Sequence, residues 1–110
     1  MNGEWLDIGW VEEIPLRGSR TVQVTGGDDI ALFRTGDGQV FALLDRCPHK
    51  HGRLSQGIVH GGAVACPLHN WRISLATGEA LGEDRGCTPT VAVRMAGDRV
   101  QIAAPLKAAA

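Results

Sequence analysis

Two short stretches of the chain carry the side chains best suited to hold a metal: Cys47-Pro48-His49 and Cys66-Pro67-Leu68-His69. Each arm offers one thiolate and one imidazole, both of them metal ligands. Sixteen residues, Lys50 to Ala65, separate His49 from Cys66. Two such arms converge on one metal centre if the chain between them makes a hairpin, and Gly57, Gly61 and Gly62 supply turns for it. Pro48 and Pro67 fix φ directly after each cysteine and have no N–H of their own. Other backbone N–H groups in the arms are then available to donate to sulfur. A structural zinc site with these four ligand types is the rival reading, but zinc sites usually pair C-x-x-C with H-x3–5-H. Here each arm mixes one of each.

The C-x-H and C-x-x-H arms together resemble the ligand signature of Rieske [2Fe–2S] proteins. The resemblance covers both arms closely and the flanking segments more loosely. It implies one [2Fe–2S] cluster per chain, with Cys47 and Cys66 on one iron and His49 and His69 on the other. It also implies an all-β, Rieske-type fold of antiparallel sheets with an inserted cluster-binding subdomain. Charge explains the mixed ligand set: an oxidised core of about +2 becomes about −2 with four thiolates and about zero when two are replaced by neutral imidazoles. Reduction of a neutral centre costs less than reduction of a dianion, and the electron settles on the histidine-ligated iron. High-potential members have an extra cysteine in each loop, joined as a disulfide, and a serine and a tyrosine that donate to cluster sulfurs. This chain has no second loop cysteine and no tyrosine. Fewer donors stabilise the reduced state less, so a potential of about −150 mV is expected, at the low end of the Rieske range.

Further segments narrow the resemblance. These are Trp5-Leu6-Asp7-Ile8-Gly9, Glu13-Ile14-Pro15, Asp29-Ile30-Ala31-Leu32-Phe33-Arg34, Thr77-Gly78-Glu79-Ala80 and Gly86-Cys87. With the two arms, they are similar to the small subunit of bacterial assimilatory NAD(P)H-dependent nitrite reductases. That resemblance implies a redox role in reducing nitrite to ammonia for nitrate assimilation. The isolated chain would then be only an electron carrier, and its partner a large subunit bearing flavin, an iron–sulfur cluster and sirohaem. The alternative is a Rieske ferredoxin that takes electrons from a reductase and delivers them to an aromatic-ring dioxygenase. Such ferredoxins are often acidic, whereas this chain has a net charge of −1. A third reading, from another class, is a structural interaction subunit with zinc or an empty site.

The other notable side chains have simpler readings. Cys87 lacks a histidine at motif spacing and is read as a buried packing residue. His51 is a weaker candidate than His49, and His60, before Gly61-Gly62, is read as a turn residue. Lys50, Arg53 and Arg72 are either solvated loop charges or a positive rim for an acidic partner. Leu54 and Leu68 are expected to cap the cluster against water, and Trp71 to pack beneath it.

These residues need a scaffold, and the sequence around them reads as β. Thr21–Thr25 alternates. Ile30–Arg34 and Gln39–Leu44 flank Gly36-Asp37-Gly38 as a hairpin, and Thr90–Met95 and Arg99–Ile102 flank Ala96-Gly97-Asp98 as another. Between them, about 46–86 is rich in Gly, Cys, His and Pro, with short strands at Ala63–Ala65 and Trp71–Leu75. Such a segment cannot stabilise itself by apolar burial alone. The 110 residues suit one domain, 1–110, with the metal-binding subdomain inserted between hairpins. The tail from Ala104 is read as frayed or a short helix.

Composition excludes several classes. Eleven Lys and Arg against twelve Asp and Glu leave no basic stripe for nucleic acid and no polybasic run for a membrane surface. No apolar run is long enough to span a bilayer. The N-terminus shows no secretion signal, so the expected location is the cytoplasm. Three cysteines, an odd number, argue against a disulfide framework there. No Gly-rich phosphate loop follows a strand and no Ser/His/Asp set has an anchoring motif, so catalytic residues are not expected in this chain.

Overall fold

The structure, a computed structural model, describes residues 4–23, 29–46, 53–66, 71–81 and 86–104. Its strands are β1 (Glu4–Trp10), β2 (Gly18–Val22), β3 (Ile30–Arg34), β4 (Val40–Leu44), β5 (Ile58–His60), β6 (Ala63–Ala65), β7 (Arg72–Ser74), β8 (Thr90–Val91), β9 (Val93–Ala96) and β10 (Arg99–Ala104). They form three antiparallel sheets in the orders β1-β10-β9, β2-β3-β4-β8 and β5-β6-β7. Helical structure among the described residues is confined to 3-10 turns at Val11–Glu13 and Leu54–Gln56. The expected all-β fold is therefore observed. None of the described helices is long and apolar enough to cross a membrane.

The β3 run, Ile-Ala-Leu-Phe, does not alternate between apolar and polar, and the packing shows why. Ile30, Leu32 and Ala42 face one core with Ile14, Val100 and Ile102. Ala31, Phe33 and Leu43 face a second core with Leu54, Val59, Val64, Cys66, Ile73 and Leu75. The β2-β3-β4-β8 sheet is thus the middle layer, and its two central strands, β3 and β4, covered on both faces, read as continuous apolar runs. Each fully buried large apolar side chain contributes about 1.5–3 kcal/mol. The inserted β5-β6-β7 sheet docks on the middle layer through the second core.

The expected hairpin at Gly36-Asp37-Gly38 is present: β3 and β4 pair in register from Ile30↔Leu44 to Arg34↔Val40, and Gly38 has φ 91°. The expected single strand Thr90–Met95 is instead divided. Val91 pairs with Ala42 of the middle sheet, whereas Val93 pairs with Ile102 of the β1-β10-β9 sheet. The chain changes sheet at Ala92, whose carbonyl accepts from Ala103 N at 2.9 Å. The sequence pattern shows alternation on both sides of that crossing and cannot distinguish one sheet from two. Two strands, β1 and β5, carry no strand reading in the sequence. On β1, Trp5 and Trp10 stack against Arg94 and Arg99 on β9 and β10, 4.5 and 4.4 Å from ring centre to guanidinium. The aromatic residues there are partners for cations, so polar–apolar alternation is lost. The tail beyond Ala104 lies outside the described residues.

Candidate metal centre

Of the four proposed ligands, Cys66 is described; Cys47, His49 and His69 lie outside the described residues, as do Lys50, His51 and Leu68. Cys66 follows β6 directly and has no exposed surface. Its N–H donates to the carbonyl of Trp71 at 2.6 Å, closing the second arm across residues 67–70. That bond continues the β6–β7 pairing Ala65↔Arg72. Trp71 is half-buried and packs on the core that contains Cys66.

The root of the first arm is built differently. Asp45 follows β4, and its carboxylate has no exposed surface. It accepts from Ser55 N at 2.7 Å, Ser55 Oγ at 2.7 Å and Arg53 Nε at 3.0 Å. Arg53 Nη2 lies 2.9 Å from the same carboxylate and donates to Asp29 Oδ2 at 2.8 Å. The Asp29 hydrogen bond, followed by the Asp45 charge, holds the Arg53 guanidinium pKa above its usual value. Ser19 Oγ, from β2, donates to Ser55 O at 2.7 Å. Arg53 is therefore ion-paired within the chain while its side chain stays 48% exposed, so it is a solvated charge that also ties the two ends of the arm together. The network connects Asp45, before the Cys-His arm, to Arg53 and Ser55, after it. Asp45 and Ser55 escaped the sequence reading. The available signal was an acidic residue two positions before Cys47, with a cation and a hydroxyl soon after the arm.

Leu54, at the same root, is fully buried in the core with Cys66. It packs in that core between the roots of the two arms. Gly57 was expected as a turn residue, but its φ is −84° and its role is close approach. A Cβ at Gly57 would lie 2.1 Å from the carbonyl oxygen of Ala65, the residue before Cys66. The first arm thus returns directly against the strand that carries the second. Gly61, at φ 60°, does make the expected turn between β5 and β6.

Beside the arms, Ile58, Ala65, Arg72 and Leu81 form one row across the inserted sheet. Ile58, Arg72 and Leu81 are exposed. No carboxylate among the described residues pairs with Arg72, so it keeps both readings given to it. Cys87 is exposed, correcting the buried reading; its backbone bridges to Glu79. The His60 side chain is exposed at the end of β5, as expected of a residue at that turn. Among the described residues no group of three or more His, Cys, Asp or Glu side chains offers another metal site. A cavity of 430 Å³, lined by residues that include Arg17, Asp37, Gly61 and Gly62, lies at the opposite end of the β5–β6 hairpin from Cys66.

A buried sulfur at the root of one Cys-His arm, packed with the root of the other, suits a group enclosed between them. Comparison with known proteins agrees. The Rieske [2Fe-2S] domain profile matches residues 4–93, and the chain belongs to that family. Its cofactor is accordingly a [2Fe–2S] cluster, and it is an electron-transfer protein of oxidoreductase systems. The anthranilate 1,2-dioxygenase ferredoxin subunit of Burkholderia cepacia is 43% identical over 75 residues, covering 68% of each chain. Among solved structures, a chain from the complex of reduced oxygenase and oxidized ferredoxin in carbazole 1,9a-dioxygenase aligns with TM-score 0.82 and 26% identity, covering 90% of this chain and 92% of that one. A chain named as an NADH-dependent nitrite reductase small subunit, from Mycobacterium tuberculosis, aligns with TM-score 0.82 and 25% identity over 93% of this chain and 96% of its own.

Proposed function

We propose that Cys47, His49, Cys66 and His69 hold one [2Fe–2S] cluster, and that the chain is a Rieske ferredoxin passing single electrons from a reductase to an aromatic-ring oxygenase. When bound, the cluster supplies a one-electron redox centre. The protein residues position it: the β6–β7 hairpin fixes Cys66, and Leu54 and Trp71 enclose the protein side of the site. The observation that carries the ferredoxin reading is the 43% identity to a dioxygenase ferredoxin subunit. Other ferredoxin components of dioxygenase systems are similar in sequence as well, whereas solved chains of the two classes align about equally, at 26% and 25% identity. One domain spanning 1–110 with a cluster-binding subdomain at about 46–86, in the cytoplasm, accompanies the proposal.

Anaerobically purified protein should contain about two irons and two acid-labile sulfides per chain. Cys47→Ser should remove the visible absorption; an unchanged spectrum would refute the ligand set. Co-purification tests the partner. An oxygenase supports the ferredoxin reading, whereas a larger sirohaem-containing subunit overturns it. The second reading, a nitrite reductase small subunit acting with its large subunit, is favoured by the near-complete mutual coverage of the M. tuberculosis chain. That sirohaem partner is the result it expects.

A further inference from the structure

The two arms leave the scaffold under unequal constraint. The second is a hairpin loop whose ends are held by a backbone ladder, β6 to β7. The first runs from β4 in the middle sheet to β5 in the inserted sheet, so no ladder joins its ends. The Asp45 carboxylate provides the closure instead. It binds one residue before the arm to two after it, through three hydrogen bonds and an ion pair, with the carboxylate itself buried and Arg53 half exposed. Charge-assisted bonds in such a setting are the strong ones. Leaving one member of the network unpaired is costly, because the remaining charge stays buried.

We propose that Asp45 is the positioning residue of the first arm: its buried carboxylate, balanced by Arg53, holds the two ends from which Cys47 and His49 are presented at a fixed separation. This rests on the proposed ligand set. Asp45 touches no iron in this account and acts only through the arm. Its one counter-charge, Arg53, is shared with a second carboxylate. Arg53 extends from the arm's far end, and Asp29, ahead of β3, holds Arg53 from outside. The Asp45 N–H also donates to Asp29 O at 2.8 Å, anchoring the near end to the same point.

The test compares Asp45→Asn, Ser55→Ala and a control, Val100→Ala. Val100 is fully buried in the core on the other face of the middle sheet, so its truncation lowers stability without touching the arm. Three measurements are made on each full-length protein: the melting temperature, the rate at which the reconstituted cluster is lost to an iron chelator, and the EPR g-values of the reduced cluster. A fourth uses protein without cluster and follows tryptic cleavage after Arg46, Lys50 and Arg53, the basic residues of the arm and its roots. Asp45→Asn is expected to speed cluster loss about tenfold, the low end of the affinity lost when support around metal ligands is removed. It should also shift the g-values and speed tryptic cleavage after Lys50. Ser55→Ala should do the same to a smaller degree, while Val100→Ala should change only the melting temperature. If Val100→Ala and Asp45→Asn, compared at equal distance below their melting temperatures, lose the cluster equally fast with unchanged g-values, Asp45 merely stabilises the fold and the proposal is overturned. If Cys47→Ser keeps its colour, the ligand set has failed instead, and the tryptic comparison still decides whether Asp45 closes the arm.

Discussion

The roots of the two Cys-His arms solve the same problem with different chemistry. At the second, main-chain hydrogen bonds close the loop: Ala65 faces Arg72, and Cys66 N donates to Trp71 O. At the first, side chains close it: Asp45 holds Arg53 and Ser55. The difference follows from topology. Where a loop joins neighbouring strands of one sheet, the backbone supplies its own closure and any sequence compatible with a strand suffices. Where a loop joins two sheets, closure must be specified residue by residue. The second root should therefore tolerate side-chain change except at the ligand itself, and the first should be sensitive at several positions.

The largest expected effect is at the ligand of the tolerant root. Cys66→Ser should abolish the visible absorption of the cluster, as Cys47→Ser should for the other arm. It also places a hydroxyl in an apolar core, where an unsatisfied polar group costs about 1–3 kcal/mol. A parallel Ala65→Val change at the second root should leave the spectrum intact. A loss of cluster in that variant would contradict the idea that the backbone alone closes this root.

Next come the residues through which the roots meet. Leu54→Ala removes a fully buried side chain shared by both and should cost about 2–5 kcal/mol in urea unfolding. Gly57→Ala places a methyl group 2.1 Å from the Ala65 carbonyl oxygen. Backbone opposes it, so the arm must shift, and about 1–3 kcal/mol of destabilisation is expected together with faster cluster loss. If Gly57→Ala melts like the parent protein and retains its cluster equally well, the arms are not held against each other at this point.

The same contrast explains what could be read from the sequence. The Cys-Pro-His and Cys-Pro-Leu-His arms were legible because metal ligation requires particular residue types at short spacing. The β3–β4 hairpin was legible because Gly36-Asp37-Gly38 interrupts two apolar runs. The described structure shows Cys66 buried and a three-stranded sheet, β5-β6-β7, beside it, while the ligand roles of Cys47, His49, Cys66 and His69 are proposals. Asp45 was not legible. Its partners lie eight and ten residues away, across the arm, and a lone acid after a strand has no periodicity to reveal it. Arg53 was read only in part for the same reason: its exposure was legible, but its partners, Asp29 and Asp45, are distant in sequence. Cys87 was misread because apolar character alone does not say which side of a short bridge faces water.

The smallest effect concerns an ion pair far from both arms in the chain's outer sheet, and it serves as the reference for the others. Asp7 on β1 accepts from Arg99 on β10 at 2.6 and 3.1 Å, with both side chains about two-fifths exposed. The Arg99 hydrogen bond, chief among the causes, holds the Asp7 carboxyl below its ordinary pKa. A depressed carboxyl stabilises the folded state above the unfolded-state pKa, and that contribution is lost as pH falls through the lower folded value. Asp7→Asn should therefore lower stability slightly at neutral pH, and the difference from the parent should shrink as pH falls below the usual carboxylate range. Added salt should also reduce it, because the pair is open to solvent. Chelator-driven cluster loss should be the same in both proteins at every pH where they are folded. A pH-dependent change in cluster retention from Asp7→Asn alone would mean that surface charge far from the arms governs the site, and the distinction drawn between the two roots would no longer account for how the ligands are held.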